Sequence, residues 1–154
     1  MAALPAKLQE TLDTLALLED RSDRIQMLID VADRFTDVPE SIARRPFAEE
    51  HRVPGCESEA FVWAEPRGDG AFRYHFAVEN PQGVSAMALA VILGDTLSGS
   101  PPAQVAAVPA DVVYRIFGNE LSMGKSIGLM GMVCKLQSET ARQSAGRDVR
   151  QPAG

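Results

Sequence analysis

Two runs of β-like sequence, Glu57–Glu65 and Ala71–Glu79, flank the segment Pro66-Arg67-Gly68-Asp69-Gly70. In the second run Phe72, Tyr74 and Phe76 alternate with Arg73 and His75, the period of two that puts one face of a strand on a core. Proline and glycine between the runs supply a turn, so the sequence predicts a β-hairpin. In the first run, Phe61 and Trp63 fall on one side with Glu57 and Glu59 and are expected to be packing residues.

Everything around the hairpin reads as helix. Leu4, Leu8, Leu12 and Leu15 recur at helical spacing, with Pro5 acceptable in a first turn. Ser22 is expected to cap a second helix whose apolar face is Ile25, Leu28, Ile29 and Ala32. That helix should stop near Asp37, because Pro39 disfavours helix in the residue before it. Residues 38–55 carry Pro39, Pro46, Pro54 and Gly55 and read as an irregular loop. Beyond Gly83 the pattern predicts helices over Val84–Leu97, Pro102–Ala107, Asp111–Phe117 and about Gly124–Arg142, then a disordered tail over 144–154. Helices, then strands, then helices favour one α+β domain over 1–143, a small antiparallel β-sheet covered by helices, over a doubly wound fold.

Composition narrows the function. The chain has 154 residues, 45% hydrophobic and 23% charged, as in an ordinary globular domain with a real core. Its net charge of −6 is uneven: residues 1–60 hold 13 acidic and 7 basic side chains, and the remainder 8 of each. An acidic half argues against a nucleic-acid backbone as partner, since that requires clustered Lys and Arg. No apolar run approaches spanning length, Ala86–Leu93 being far too short, so no membrane role is expected. Two widely spaced cysteines do not make a disulfide framework, and the first residues lack the pattern of a signal peptide. The expected compartment is the cytoplasm.

Cys56 follows Pro54 and Gly55 in Arg52-Val53-Pro54-Gly55-Cys56-Glu57-Ser58-Glu59. Proline fixes its own φ and glycine frees the next position, so the thiol is presented on a bend. A reactive thiolate must be reached by its target; a free cysteine is equally at home in a core, and the setting alone admits both. Cys134 shares a helical face with Ile127, Met130 and Val133 and is expected in the core. Gly124-Lys125-Ser126 is not a phosphate loop, because five residues separate Gly118 from Gly124 and no strand precedes them. Cys56, Cys134, His51 and His75 show no paired spacing of zinc ligands, so no metal site is expected, and both histidines read as structural.

The segment Val53–Glu59, followed by an aromatic strand, resembles the Gly-Cys-x-Ser motif of the SufE family, sulfur acceptors for cysteine desulfurases. Asp23-Arg24, Leu28-Ile29 and Val38-Pro39 resemble its N-terminal segment. Leu121-Ser122, Lys125 and Gly128-Leu129 resemble its Leu-[Ser/Thr]-x-x-Arg-x-x-Gly element. The likeness spans about Leu4 to Leu136. Glu57 and Glu59 depart from it where many members carry glutamine. Lys125 replaces the usual arginine, a mobile point charge in place of a bidentate fork.

What the resemblance implies is a fold similar to the iron–sulfur scaffold (IscU-like) fold and an accessory protein rather than an enzyme. Cys56 would be the persulfide-forming nucleophile, supported by Gly55, Ser58, Lys125 and Arg52. The partners would be a cysteine desulfurase, which carries the pyridoxal phosphate, and an iron–sulfur scaffold complex; this chain would hold no cofactor of its own. A homodimer is allowed. Glu57 and Glu59 disfavour a Cys56 thiolate while Arg52 and Lys125 favour it, so a thiol activated only on docking is one expectation. The alternative from another class is a metal-binding, iron–sulfur scaffold-like protein, which needs several converging ligands.

Overall fold

The computed structural model describes residues 4–150. Helix α1 (Ala6–Ala16) starts from Pro5 and buries Leu8, Leu12 and Leu15, one stripe at helical spacing. Helix α2 (Arg21–Ala32) is capped not by Ser22 but by Asp20, whose carboxylate accepts the Ser22 N–H at 2.8 Å. A charged acceptor there also faces the positive end of the helix. The helix ends at Ala32, short of the expected Asp37, because the following chain is held elsewhere. Val38 N–H donates to Phe76 O at 2.7 Å, and Asp37 accepts from Arg45 at 2.9 Å. Of the expected apolar face only Leu28 and Ala32 are buried; Ile25 and Ile29 stay 46% and 40% exposed along an open cleft.

Strands β1 (Ala60–Pro66) and β2 (Phe72–Val78) form the expected antiparallel hairpin, with Ala60 opposite Val78 and Pro66 opposite Phe72. The expected first strand is shortened at its start, because Cys56–Glu59 is a turn closed by Glu59 N–H on Cys56 O at 3.1 Å. Ala60, Val62, Ala64, Phe72, Tyr74, Phe76 and Val78 belong to the main core. Phe61, Trp63 and Ala77 point to the opposite side, where Val38, Ile42, Ala43 and Phe47 from the irregular loop cover them. Both faces of β1 are therefore buried from Ala60 to Ala64, which is why that stretch is continuously apolar. Phe47 meets Trp63 edge-on at 5.0 Å and Phe61 at 5.2 Å. The same loop engages the outer edges: Val38 bonds β2, and Val53 N–H donates to Ala60 O at 2.9 Å beside β1. A two-stranded ribbon would otherwise present unpaired backbone on both sides.

Helix α3 (Val84–Leu97) runs through the centre and buries Ala86, Ala88, Leu89, Ala90, Ile92, Leu93 and Leu97, packing on α1, α2, β2 and the last helix. Short helices α4 (Pro102–Ala106) and α5 (Val112–Phe117) lead to α6 (Met123–Arg150), which crosses β1 and buries Leu129, Met132, Val133 and Leu136. Helix α6 passes the expected end at Arg142, so the first part of the expected tail is helical to Arg150; residues 151–154 lie outside the described residues. Among the described residues no helix is long and apolar enough to cross a membrane.

Candidate functional site

Cys56 sits where the loop turns from the aromatic face of the sheet toward β1. Gly55 takes φ +72°, a left-handed conformation that a side chain resists, so the Pro54-Gly55 pair sets the bend as expected. Glu59 closes the turn at φ +53° without being glycine. Ser58 fixes the turn to the end of β2, its carbonyl accepting the Asn80 N–H at 3.1 Å. Between these constraints Cys56 is half-buried, packed at the margin of the main core with its thiol free.

Beneath the loop lies one face of α6 made of glycines. A Cβ placed on Gly124 would stand 3.4 Å from Glu57 Oε1, on Gly128 3.4 Å from Cys56 Sγ, and on Gly131 3.2 Å from Pro54 O. These positions recur every three to four residues, so they form a track one side chain deep, and residues 54–57 run along it against the helix direction. Glycine inside a helix is unfavourable by about 1 kcal/mol relative to alanine, so three on one face require a reason, and the close approach of the loop supplies it. In the sequence Gly128 stands out only as part of the family-like motif, whereas its four-and-three spacing with Gly124 and Gly131 is the signal of this packing role. Ser122 has a local role, its hydroxyl accepting the Lys125 N–H at 3.3 Å as the N-cap of α6.

The two expected cations are not on the thiol. Arg52 donates to both oxygens of Glu49, at 2.8 and 3.1 Å, lies 4.0 Å from Glu59, and stacks 4.7 Å over Phe61. These hydrogen bonds hold the Glu49 carboxyl below its usual range and the Arg52 guanidinium above its own. Lys125 is exposed and lines a cleft of 910 Å³ with Ile25, Ile29, Val84, Phe117 and Ser122. Its sequence neighbour Gly124 underlies Glu57, so the cleft adjoins the cysteine turn. The structure thus brings Gly55, Cys56 and Ser58 together, turns Arg52 to the aromatic face, and leaves Lys125 beside the site rather than on the sulfur.

Cys134 is a correction. It is exposed, because the buried stripe of α6 runs through Leu129, Met132, Val133 and Leu136, while Ile127, Met130 and Cys134 lie on its flank. Ile127 on that flank is itself 50% exposed. His75 Nε2 lies 3.1 Å from Glu65 Oε1 on the neighbouring strand, a structural contact. Among the described residues no three His, Cys, Asp or Glu side chains converge as ligands of one metal would.

Fold and site together define an α+β protein organised around one half-exposed thiol on a preformed turn. The family model for SufE, the Fe–S metabolism associated domain, matches residues 9–140, and the chain belongs to the SufE family. It is similar to an uncharacterised SufE-like protein of Rhizobium etli, 27% identical over 147 residues that cover 91% of this chain and 93% of that one. The solution structure of a hypothetical protein from Thermus thermophilus has a similar fold. It matches with a TM-score of 0.72 and 27% identity over 94% of this chain and 99% of its own.

Proposed function

We propose that Cys56 accepts sulfur from the persulfide of a cysteine desulfurase, stimulates that enzyme, and delivers the sulfur toward iron–sulfur cluster assembly. The observation that carries this reading is the half-exposed thiol held on a bend in a chain of the SufE family. In the transfer step the Cys56 thiol loses its proton to solvent and the thiolate attacks the terminal sulfur of the partner's persulfide. The partner's S–S bond breaks, its cysteine departs as thiolate, and a new S–S bond forms on Cys56 with no net oxidation. Delivery repeats the exchange with Cys56 as the leaving thiolate.

The pyridoxal phosphate that generates the persulfide belongs to the partner, and a cytoplasmic, accessory role follows from the same reading, as does likeness to the iron–sulfur scaffold fold. Arg52 serves this function by fixing the upstream arm of the turn through Glu49 and Phe61, and Lys125 by meeting the partner at the cleft. Incubation with a cysteine desulfurase and L-cysteine should add the mass of one sulfur atom to the Cys56 peptide. Reductant should remove the adduct and prior alkylation should prevent it. An unmodified Cys56 with several desulfurases, together with stoichiometric iron or zinc in the purified protein, would replace this reading by the metal-binding scaffold.

A further inference from the structure

Upstream of the cysteine turn, the chain is tied to α6 by a buried charge. Glu139 is 1% exposed, the one acidic side chain that is buried among the described residues. Its Oε1 lies 3.1 Å from His51 Nδ1 and 3.5 Å from Lys135 Nζ, and its Oε2 accepts from Arg142. His51 Nδ1 also lies 3.1 Å from Val62 O. A carbonyl and a carboxylate held between cations can only accept, so Nδ1 carries the proton and donates to both. The ring leans on Trp63 at 5.2 Å, and Lys135 donates to the carbonyl of Glu50. Two successive residues of the short 3₁₀ turn Glu49–His51 are thereby fastened to α6, five and six positions before Cys56.

A buried carboxylate is a poor device for stability alone, because its desolvation offsets the attraction of its partners and an apolar side chain of the same size would serve as well. What such a group can supply is registry. Helix α6 carries both the clamp, at Lys135 and Glu139, and the glycine track on which Cys56 lies, at Gly124, Gly128 and Gly131.

We propose that Glu139 is a positioning residue for Cys56: through His51, and with Lys135, it fixes the entrance of the cysteine turn to α6 and so holds the thiol against Gly128. This deepens the sulfur-acceptor reading, yet its test requires no desulfurase. Glu139→Gln keeps the shape of the side chain and removes the charge that holds the three donors together. Cys134, exposed on the same helix, serves as the internal reference.

With a small alkylating reagent at fixed pH, Glu139→Gln should raise the rate at Cys56 relative to Cys134 by about tenfold, as local opening of the turn becomes more frequent. His51→Phe keeps a ring against Trp63 but cannot donate, and it should shift the same ratio in the same direction. That variant also decides the matter if Glu139→Gln does not fold. An unchanged ratio in a folded variant overturns the proposal, and so does an acceleration no larger than the fall in global stability measured in urea on the same variant, because Cys134 is already exposed and general unfolding would also quicken Cys56 alone. Failure here leaves the transfer reading standing, and a Cys56 that takes no sulfur leaves this one standing.

Discussion

Cys56 rests on Gly128: a methyl group added to Gly128 would stand 3.3 Å from the Cys56 Cα and 3.4 Å from its Sγ. The contact sets two effects of Gly128→Ala against each other. Helix propensity favours alanine by about 1 kcal/mol, whereas the loop above must give by a few tenths of an ångström. Gly128→Ala should therefore leave stability within about 1 kcal/mol of wild type while lifting the turn. Alkylation of Cys56 should become severalfold faster. Chemical denaturation and alkylation kinetics on the same preparation test this. A variant stabilised by the full propensity gain, with unchanged thiol reactivity, would show that the loop does not bear on the helix.

Cys56→Ser should abolish stimulation of a cognate desulfurase, and Cys134→Ala should preserve it. The exposed position of Cys134 makes the second variant milder than a core truncation: its stability should change by no more than about 0.5 kcal/mol. Equal loss of stimulation in two folded variants would contradict the assignment to Cys56.

Lys125 separates two roles that a cation near a thiol can have. It faces the cleft rather than the sulfur, so Lys125→Ala should leave the alkylation rate of Cys56 unchanged. The apparent KM for this protein in a desulfurase assay should rise severalfold, because a rim charge acts mainly on encounter with a partner. Lys125→Arg should be tolerated. A slower alkylation in Lys125→Ala would return the lysine to the thiolate.

Tyr74 joins β2 to α6. Thr140 Oγ1 donates to Leu136 O at 2.8 Å, so at 2.6 Å it is the Tyr74 hydroxyl that donates to Thr140. Burial raises the phenol above its usual 10.0. A raised folded-state value means the contribution is complete below the unfolded pKa and is lost as pH rises through the folded one. Tyr74→Phe should cost about 1 kcal/mol at neutral pH and flatten the decline of stability in alkali. Urea midpoints across that range test it; an equally steep alkaline decline in the variant would assign the effect to other groups.

The hairpin, the central helix and the bend at Cys56 were legible because each rests on local rules: alternation at Phe72, Tyr74 and Phe76, an apolar run from Val84, and the Pro54-Gly55 pair. What escaped depends on partners distant in sequence. Cys134 and Ile25 carry the right residue types at helical spacing, yet each sits at the edge of its stripe, where packing alone decides burial. Glu139 looks like one more surface acid on a polar helix end until His51, 88 residues earlier, is seen to face it. Arg52 is close to Cys56 in the chain, but Glu49 and Phe61 capture it.

Trp63 is the one tryptophan of the chain, and it lies between Phe47 and His51, on the strand that the loop covers. Indole emission responds to the polarity and quenching groups around it, so this protein carries its own optical gauge of the segment leading to Cys56. Lifting that segment would wet the indole and separate it from the imidazole. Any event that moves the turn, whether a partner docking or a sulfur atom arriving, can then be timed in stopped flow without a label.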